Sequence, residues 1–329
     1  MDCLLIADDL TGACDAAVHF AGAEVLIDRR AQSARVVAIS TESRDLAAAE
    51  IRRAWAMAAE QFSAALLFQK IDSTLRGNTR VEIAAAMEAF GCDEAVVCPA
   101  FPAQGRIVEG GWLRIQGAPE FAPIEVAARL QLPCRDASSD DDLDGIVAGT
   151  FERGRKVLWV GSAGLASALA RRLGAERGPQ AAVRGGPALF CIGSDHARTL
   201  VQQAALLAER AAVQAYSREG ICAALSRGQH VVLRIARGCA RVSELISGAP
   251  AAALVLSGGD TASLVCAAAG VRRIELCDEI VPGVPRGILG GGEFDGIPVV
   301  TKSGGFGGRD ALIQVADFFA CQNPTKIGQ

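Results

Sequence analysis

The chain has 329 residues, half of them hydrophobic, and a formal net charge of −4. That length suits two ordinary domains, each with a substantial core, and the mild acidity without a long run of one sign argues against nucleic acid and for a small-molecule ligand. Eleven cysteines form no CxxC pair, and His19, His196 and His230 stand away from any zinc-type spacing. Cys3, Cys98 and Cys191 lie inside apolar runs, so buried, reduced thiols in the cytoplasm are expected. The chain opens on a strand pattern with no secretory signal, and no apolar stretch reaches spanning length, so no membrane is expected either.

Taken in chain order, short apolar runs at Cys3–Ala7, Val36–Ile39, Ala65–Phe68, Ala95–Cys98 and Val157–Val160 read as strands buried on both faces. Helical patterns at Thr11–Ala21, Leu46–Phe62 and Thr79–Phe90 lie between them. The alternation predicts an α/β fold with a largely parallel sheet flanked by helices. Gly110 to Pro133 reads as an irregular surface excursion, and Ser138 or Ser139 as the cap of a helix that opens with Asp140 to Asp142. "AERGPQAAVRGGP", Ala175 to Pro187, is the best linker. The second half is again α/β, with runs at Ala188–Ile192, Val231–Ile235, Ala253–Ser257 and Pro298–Thr301, and "PGVPRGILGGG" from Pro282 reads as a connector. The predicted domains are 1–180 and 181–329, with the active site in a cleft between them.

Polar clusters stand where strands end, which is where open α/β sheets bind ligands. The first run stops at Asp8 and Asp9. Helix capping accounts for one carboxylate; two adjacent ones repel unless a cation or hydroxyls lie between them. A dehalogenase-type phosphatase would space its acids two apart, but position 10 is Leu. "QKIDSTLRGN" adds Lys70, Asp72, Ser73, Thr74 and Arg76, "STESR" adds Arg44, and "PAFPAQGR" adds Arg106. A capped turn explains one or two of these; an anionic polyol explains the set, with Arg44 and Arg76 on its carboxylate and Asp side chains on its hydroxyls.

Three glycine turns between strand and helix mark the second half: "CIGSDHARTL" with Ser194, "LSGGDTASLV" with Gly258, Gly259, Asp260 and Thr261, and "TKSGGFGGRD" with Lys302, Ser303, Gly304 and Gly305. Glycine lets backbone approach a ligand, and helix N-termini offer free N–H groups to phosphate. No GxxxxGK[ST] is present and no GxGxxG follows a strand, so neither a P-loop nor a nicotinamide site is indicated.

Together "ADDLTGACDA", "TESR", "KIDSTLRGN", "PAFPAQGR", "GSAGLA", "SGGDTA" and "TKSGGFG" resemble, in order, the four-carbon acid sugar kinase family. The resemblance implies an acid-sugar-binding N-terminal domain, a nucleotide-binding C-terminal domain, and ATP-dependent phosphorylation of a tetronate or 3-oxo-tetronate at its terminal hydroxyl. It implies substrate contacts at Asp9, Arg44 and Asp72 to Arg76, and ATP contacts at Ser194, Gly258 to Thr261 and Gly304. Mg²⁺ is expected on the ATP phosphates, with no protein metal ligands assigned. Asp260 is the first candidate for the proton-accepting carboxylate, with Asp9 and Asp72 as rivals. The chain is shorter than typical members, notably between Ser194 and Gly258, so a catalytically weak sugar-acid or nucleotide binder is the alternative, and a dehydrogenase on the same acids a remoter one. A symmetric homodimer is the ordinary expectation for the assembly.

Overall fold

In the computed structural model, which describes residues 1–29, 34–118, 120–176 and 185–321, the apolar runs become strands and the polar clusters fall at their carboxyl ends. The chain divides into two compact units, Met1–Val25 with Gln32–Gly178, and Leu26–Ala31 with Pro179–Gln329. The predicted linker spans the division; its residues 177–184 lie outside the described residues. That a short early segment goes with the second unit was not foreseen from sequence.

The first unit runs β1 (Cys3–Ala7), α1 (Leu10–Ala17), β2 (Glu24–Leu26), β3 (Val36–Ser40), α2 (Ala48–Gln61), β4 (Leu66–Lys70), α3 (Thr79–Phe90) and β5 (Glu94–Cys98). It continues with β6 (Arg106–Glu109), β7 (Trp112–Ile115), β8 (Ile124–Glu125), α4 (Val126–Leu130), α5 (Asp140–Phe151), β9 (Val157–Gly161) and α6 (Ala163–Arg172). Strands β3-β1-β4-β9-β5 are parallel neighbours. β1 lies at the centre and is buried along its whole length. Each of its large apolar side chains contributes roughly 1.5–3 kcal/mol by leaving water.

Helix α1 has no solvent face: all eight residues are buried, and only small side chains such as Gly12, Ala13 and Ala16 permit such close packing. It stops at Ala17, short of the predicted Ala21, because the chain turns through Phe20, whose N–H donates to Ala17 O, toward β2. Ser139 caps α5, accepting from Asp142 N at 3.2 Å, an arrangement worth about 1 kcal/mol. The predicted irregular excursion at 110–133 is a correction: β6, β7 and β8 form a small antiparallel sheet, followed by α4.

The second unit contains β10 (Ala188–Ile192), α7 (Ala197–Glu209), β11 (Ala212–Gln214), α8 (Arg218–Ser226), β12 (His230–Arg234), α9 (Val242–Ile246) and β13 (Ala253–Ser257). It ends with α10 (Gly259–Ala268), β14 (Arg273–Val281), β15 (Val284–Gly290), β16 (Pro298–Lys302) and α11 (Ala311–Cys321). Strands β11-β12-β10-β13-β16 are parallel, and β15 and β14 add antiparallel. Phe190, Ile192, Val255 and Val300 pack against Leu312, Val315 and Phe319 of α11. The supposed connector from Pro282 is strand β15. Pro285 is tolerated because it lies opposite Glu279, where the β14–β15 register slips and a ladder N–H is dispensable.

Candidate functional site

In the first unit the side chains gather at the ends of β1, β3 and β4. Asp9 is the N-cap of α1, and its Oδ1 accepts from Gly12 N at 2.5 Å and Thr11 Oγ1 at 3.1 Å. Arg44 supplies the cation that two adjacent carboxylates require. Its Nε donates to Asp8 Oδ2 at 2.7 Å and its Nη2 to Asp8 Oδ1 at 2.8 Å, while Nη1 reaches Asp9 Oδ2 at 2.6 Å. Asp72 Oδ2 stands 4.0 Å from Arg44 Nη2. Arg76 grips Asp72 with Nε at 3.1 Å and Nη2 at 2.5 Å, and Thr74 adds its N–H at 2.9 Å and its hydroxyl at 2.5 Å. The turn that presents these groups passes through Leu75, a buried non-glycine residue at φ 56°, a backbone state that stores on the order of 1 kcal/mol of strain.

Electrostatics separate these carboxylates. Burial, then the neighbouring Asp9 charge, pushes the Asp8 carboxyl up, against the pull of Arg44. Burial works in the same direction on Asp72, but the hydrogen bonds and charge of Arg76, with Arg44 beyond, hold it well below the usual carboxylate range. The two arginines predicted to take a substrate carboxylate are therefore already joined to protein carboxylates. Arg44 still has N–H groups beyond the three bonds to Asp8 and Asp9, since guanidinium carries five, and the Arg76 side chain is 59 % exposed.

Lys70 and Arg106 lie to one side. Lys70 Nζ donates to Ile71 O at 3.1 Å and sits 3.5 Å from Asp15 Oδ2. Asp15 is buried within α1, and burial first of all pushes its carboxyl up, with Lys70 and then Arg106 opposing. Arg106 is buried at the start of β6, and Ser73 is buried in the Asp72 turn. Sequence reasoning missed Asp15, a lone acid in an alanine-rich helix. It also missed Glu82, which lies on the buried face of α3 with Thr79, Ala85 and Ala86, a spacing legible in the sequence as an acid on an apolar stripe. Glu82 Oε1 is 2.5 Å from Ser43 Oγ, directly under Arg44's segment.

In the second unit the three glycine turns converge on Ser194 and Thr261. A Cβ on Gly193 would stand 2.1 Å from Thr261 Oγ1 and 2.8 Å from the Ile235 carbonyl oxygen, which bars a side chain there, and one on Gly304 would stand 2.2 Å from Ser194 Oγ and displace that hydroxyl. Gly258, the N-cap of α10, sits at φ 109°, a conformation open to glycine, with Ser194 again beside it. Gly259 opens α10, and Gly305 lies against the His196 ring.

Lys302 is not turned toward a ligand. It is fully buried, and its Nζ donates to Ser303 O at 2.9 Å and to Gly304 O and Phe306 O at 3.3 Å. Thr199 Oγ1 also donates to Gly304 O at 2.7 Å, and Gln202 Nε2 to the carbonyls of Phe306, Gly307 and Gly308 at 3.0, 3.2 and 2.8 Å. Burial, with Arg198 near, pushes the Lys302 ammonium down to about 7, while three carbonyls that need all three N–H groups favour the charged form. With the carbonyl oxygens drawn inward, trans-planar peptides turn the Gly304 and Gly305 N–H groups the other way. The result is a loop whose amides face away from Lys302, an arrangement of the kind that backbone nests use for anions. Lys302, expected to contact the nucleotide, here has its ammonium turned onto the loop carbonyls.

Asp260 pairs with Arg237 Nε at 2.9 Å, and its side chain is 63 % exposed. Arg234 donates to Ser194 O at 3.1 Å and Asp195 Oδ1 at 2.5 Å. Arg234 and Arg237 follow the same strand-end rule as the other site residues, at β12, and could have been found by it. Among the described residues no three metal-ligating side chains cluster. The described cysteines are free, and burial pushes the Cys98 and Cys191 thiols up to about 12, which removes them as nucleophiles. Among the described residues no helix is long and apolar enough to cross a membrane.

Comparison with known proteins meets this geometry. Residues 3–128 match the sugar-binding N-terminal domain model and residues 192–312 the nucleotide-binding C-terminal domain model. D-threonate kinase of Bordetella bronchiseptica is 34 % identical, covering 98 % of each chain. D-threonate kinase of Cupriavidus necator is 30 % identical over 95 % of this chain and 96 % of its own, and D-erythronate kinase of Heliobacterium modesticaldum 27 % over 98 % and 97 %. The first alignment runs over 408 positions, more than the 329 residues here, so that relative carries segments this chain lacks. Crystal structures of a Salmonella typhimurium LT2 protein and a Haemophilus influenzae protein share the fold, each at 19 % identity, with TM-scores of 0.72 and 0.65. They cover 97 % and 96 % of this chain, and 99 % and 100 % of their own. The chain belongs to the four-carbon acid sugar kinase family.

Proposed function

We propose that the protein transfers the γ-phosphoryl group of ATP to the terminal hydroxyl of a four-carbon sugar acid, with D-threonate and D-erythronate the first substrates to try. The observation that carries this reading is the pairing, within one chain, of a carboxylate–arginine cluster suited to an anionic polyol with an amide cradle suited to phosphate. Kinase relatives at 34 % and 30 % identity over nearly the whole chain support it.

Arg44 and Arg76 would lend N–H groups to the acid, and Asp8, Asp9, Lys70, Ser73, Thr74 and Arg106 would shape its site. Ser194, Gly258, Gly259, Thr261, Ser303, Gly304 and Gly305 would hold the phosphates. Mg²⁺, when bound, neutralises charge on the triphosphate. Phosphoryl transfer then needs mainly alignment, the acceptor oxygen forming its bond to phosphorus as ADP leaves.

Of the three carboxylates that could take the hydroxyl proton, Asp72 is disfavoured, since Arg76 holds it as a low-affinity carboxylate. Both Asp9 oxygens are engaged by Arg44 and the α1 cap. Asp260 is paired too, with Arg237, but that pair is exposed and solvent-screened, and it stands beside the Gly258 turn, which makes Asp260 the leading base. We place the enzyme in the cytoplasm, as a homodimer acting on small molecules.

The test is ADP release with Mg-ATP over D-threonate, D-erythronate and 3-oxo-tetronates. Turnover of one acid is the expected result, with Asp260→Asn lowering kcat by about 10²–10⁴. A second reading, a binder without appreciable catalysis, is favoured by the residues this chain lacks relative to its kinase relatives. ATP protection against heating without ADP release from any acid would select it.

A further inference from the structure

Beneath Arg44 runs a buried file of oxygens that the reaction described above does not use. Glu82 of α3, 3 % exposed, has Oε1 2.5 Å from Ser43 Oγ. Ser43 Oγ is 2.6 Å from Thr41 Oγ1, and Thr41 Oγ1 donates to Ala7 O at 3.0 Å, at the end of β1. Three contacts in series require three protons, and the two hydroxyls carry one each. The Ala7 carbonyl has none to give, so Thr41 donates to it. Ser43 then donates to Thr41, and the third proton belongs to Glu82. The charged groups that face Glu82 are Asp8, from the end of β1, and Arg44; β4 contributes the neutral, buried Gln69.

We propose that Glu82 is a positioning residue: as a neutral acid it anchors, through Ser43 and Thr41, the segment that carries Arg44, and so sets Arg44 against Asp8 and Asp9 for acceptor binding. This rests on the acceptor role given to Arg44 above. Burial, then the Asp8 charge, pushes the Glu82 carboxyl up to about 7; in the charged form the Ser43 hydroxyl turns to donate to the carboxylate and, with Arg44, pulls the other way. The folded chain therefore holds this proton more tightly than the unfolded chain, whose glutamate titrates at 4.5. The stabilisation is complete below about 4.5 and is lost as pH rises through about 7. Above that, the proton goes to solvent and a second buried charge stands beside Asp8.

The experiment compares wild type with Glu82→Gln, whose amide N–H replaces the acid's donor without titrating. Melting temperature is followed without ligand from pH 5 to 9, and KM for D-threonate and for ATP over the same range. Wild type should lose about 2–4 °C or more relative to Glu82→Gln across neutrality. Its KM for D-threonate should rise about tenfold, with KM for ATP unmoved and the Gln variant flat. A difference in melting temperature that is constant with pH overturns the proton assignment, whether or not the protein is a kinase. A pH-dependent difference with a flat KM overturns the positioning role. If D-threonate is neither turned over nor bound by calorimetry, as with D-erythronate, the acceptor role of Arg44 falls and the positioning claim with it, while the melting data still judge the proton. Should Glu82→Gln not fold, ¹³C-carboxyl-labelled glutamate in wild type must show one group titrating near pH 7; its absence overturns the assignment.

Discussion

On the function proposed above, the two units would recognise anions in opposite ways. The first uses side-chain charge: Arg44 bridges Asp8 and Asp9, and Arg76 clamps Asp72. The second uses backbone: glycine turns pressed against Ser194 and Thr261, with Lys302, Thr199 and Gln202 pulling the loop carbonyls inward. A network of charges discriminates by shape and hydroxyl pattern, which suits a small chiral acid. An amide cradle is indifferent to what lies beyond the phosphates, which suits a common nucleotide. The first should be fragile to changes of charge and the second to added volume.

The largest effect that would break this contrast comes from Arg44→Ala. It leaves two adjacent, buried carboxylates without their cation, a loss of about 3–5 kcal/mol in denaturant unfolding and more than about a hundredfold in kcat/KM. Arg44→Lys should recover little, because ammonium cannot bridge both acids bidentately. ATP protection against heating should persist in whatever fraction remains folded. Gly304→Ala should act in the reverse sense, since its Cβ would fall 2.2 Å from Ser194 Oγ. KM for ATP should rise about tenfold or more, with D-threonate binding by calorimetry unchanged; equal loss of both would mean that the glycine serves the fold and not the nucleotide.

The smallest effect sharpens the picture at low pH. Asp72, held by Arg76 below its ordinary 3.8, contributes stability that is present above 3.8 and lost as pH falls toward its folded value. Because the Arg76 side chain is largely exposed, the contribution is on the order of 1 kcal/mol. Acid titration of the melting temperature should be shallower for Asp72→Asn than for wild type below pH 4.

Much of this was legible in the sequence where local and tertiary preferences agree. Cys3–Ala7 and Thr79–Phe90 are read to the residue, because an unbroken apolar run needs two covered faces and the helix is stopped by Gly91 in the left-handed conformation. The β14 strand was passed over although Ile274, Leu276 and Asp278 alternate inward. There the buried Asp278, paired with Arg286, spoils the apolar rhythm, and the Pro and Gly of β15 mimic a loop. At the site, residue types at strand ends announced the chemistry. Partnership did not show: Arg44 meets Asp8 across 36 residues of chain, and nothing local distinguishes an arginine that awaits a ligand from one already bound to the protein.

The arrangement around Lys302 carries a consequence for how the phosphate cradle comes to exist. Potassium-dependent enzymes borrow a mobile ion to organise loop carbonyls, and their competence follows the ionic make-up of the medium. Here the organising donor is covalently part of β16 and enters its coordination shell as the strand docks. The course of that loop is thereby tied to the docking of its own strand, with the organising donor built into the chain.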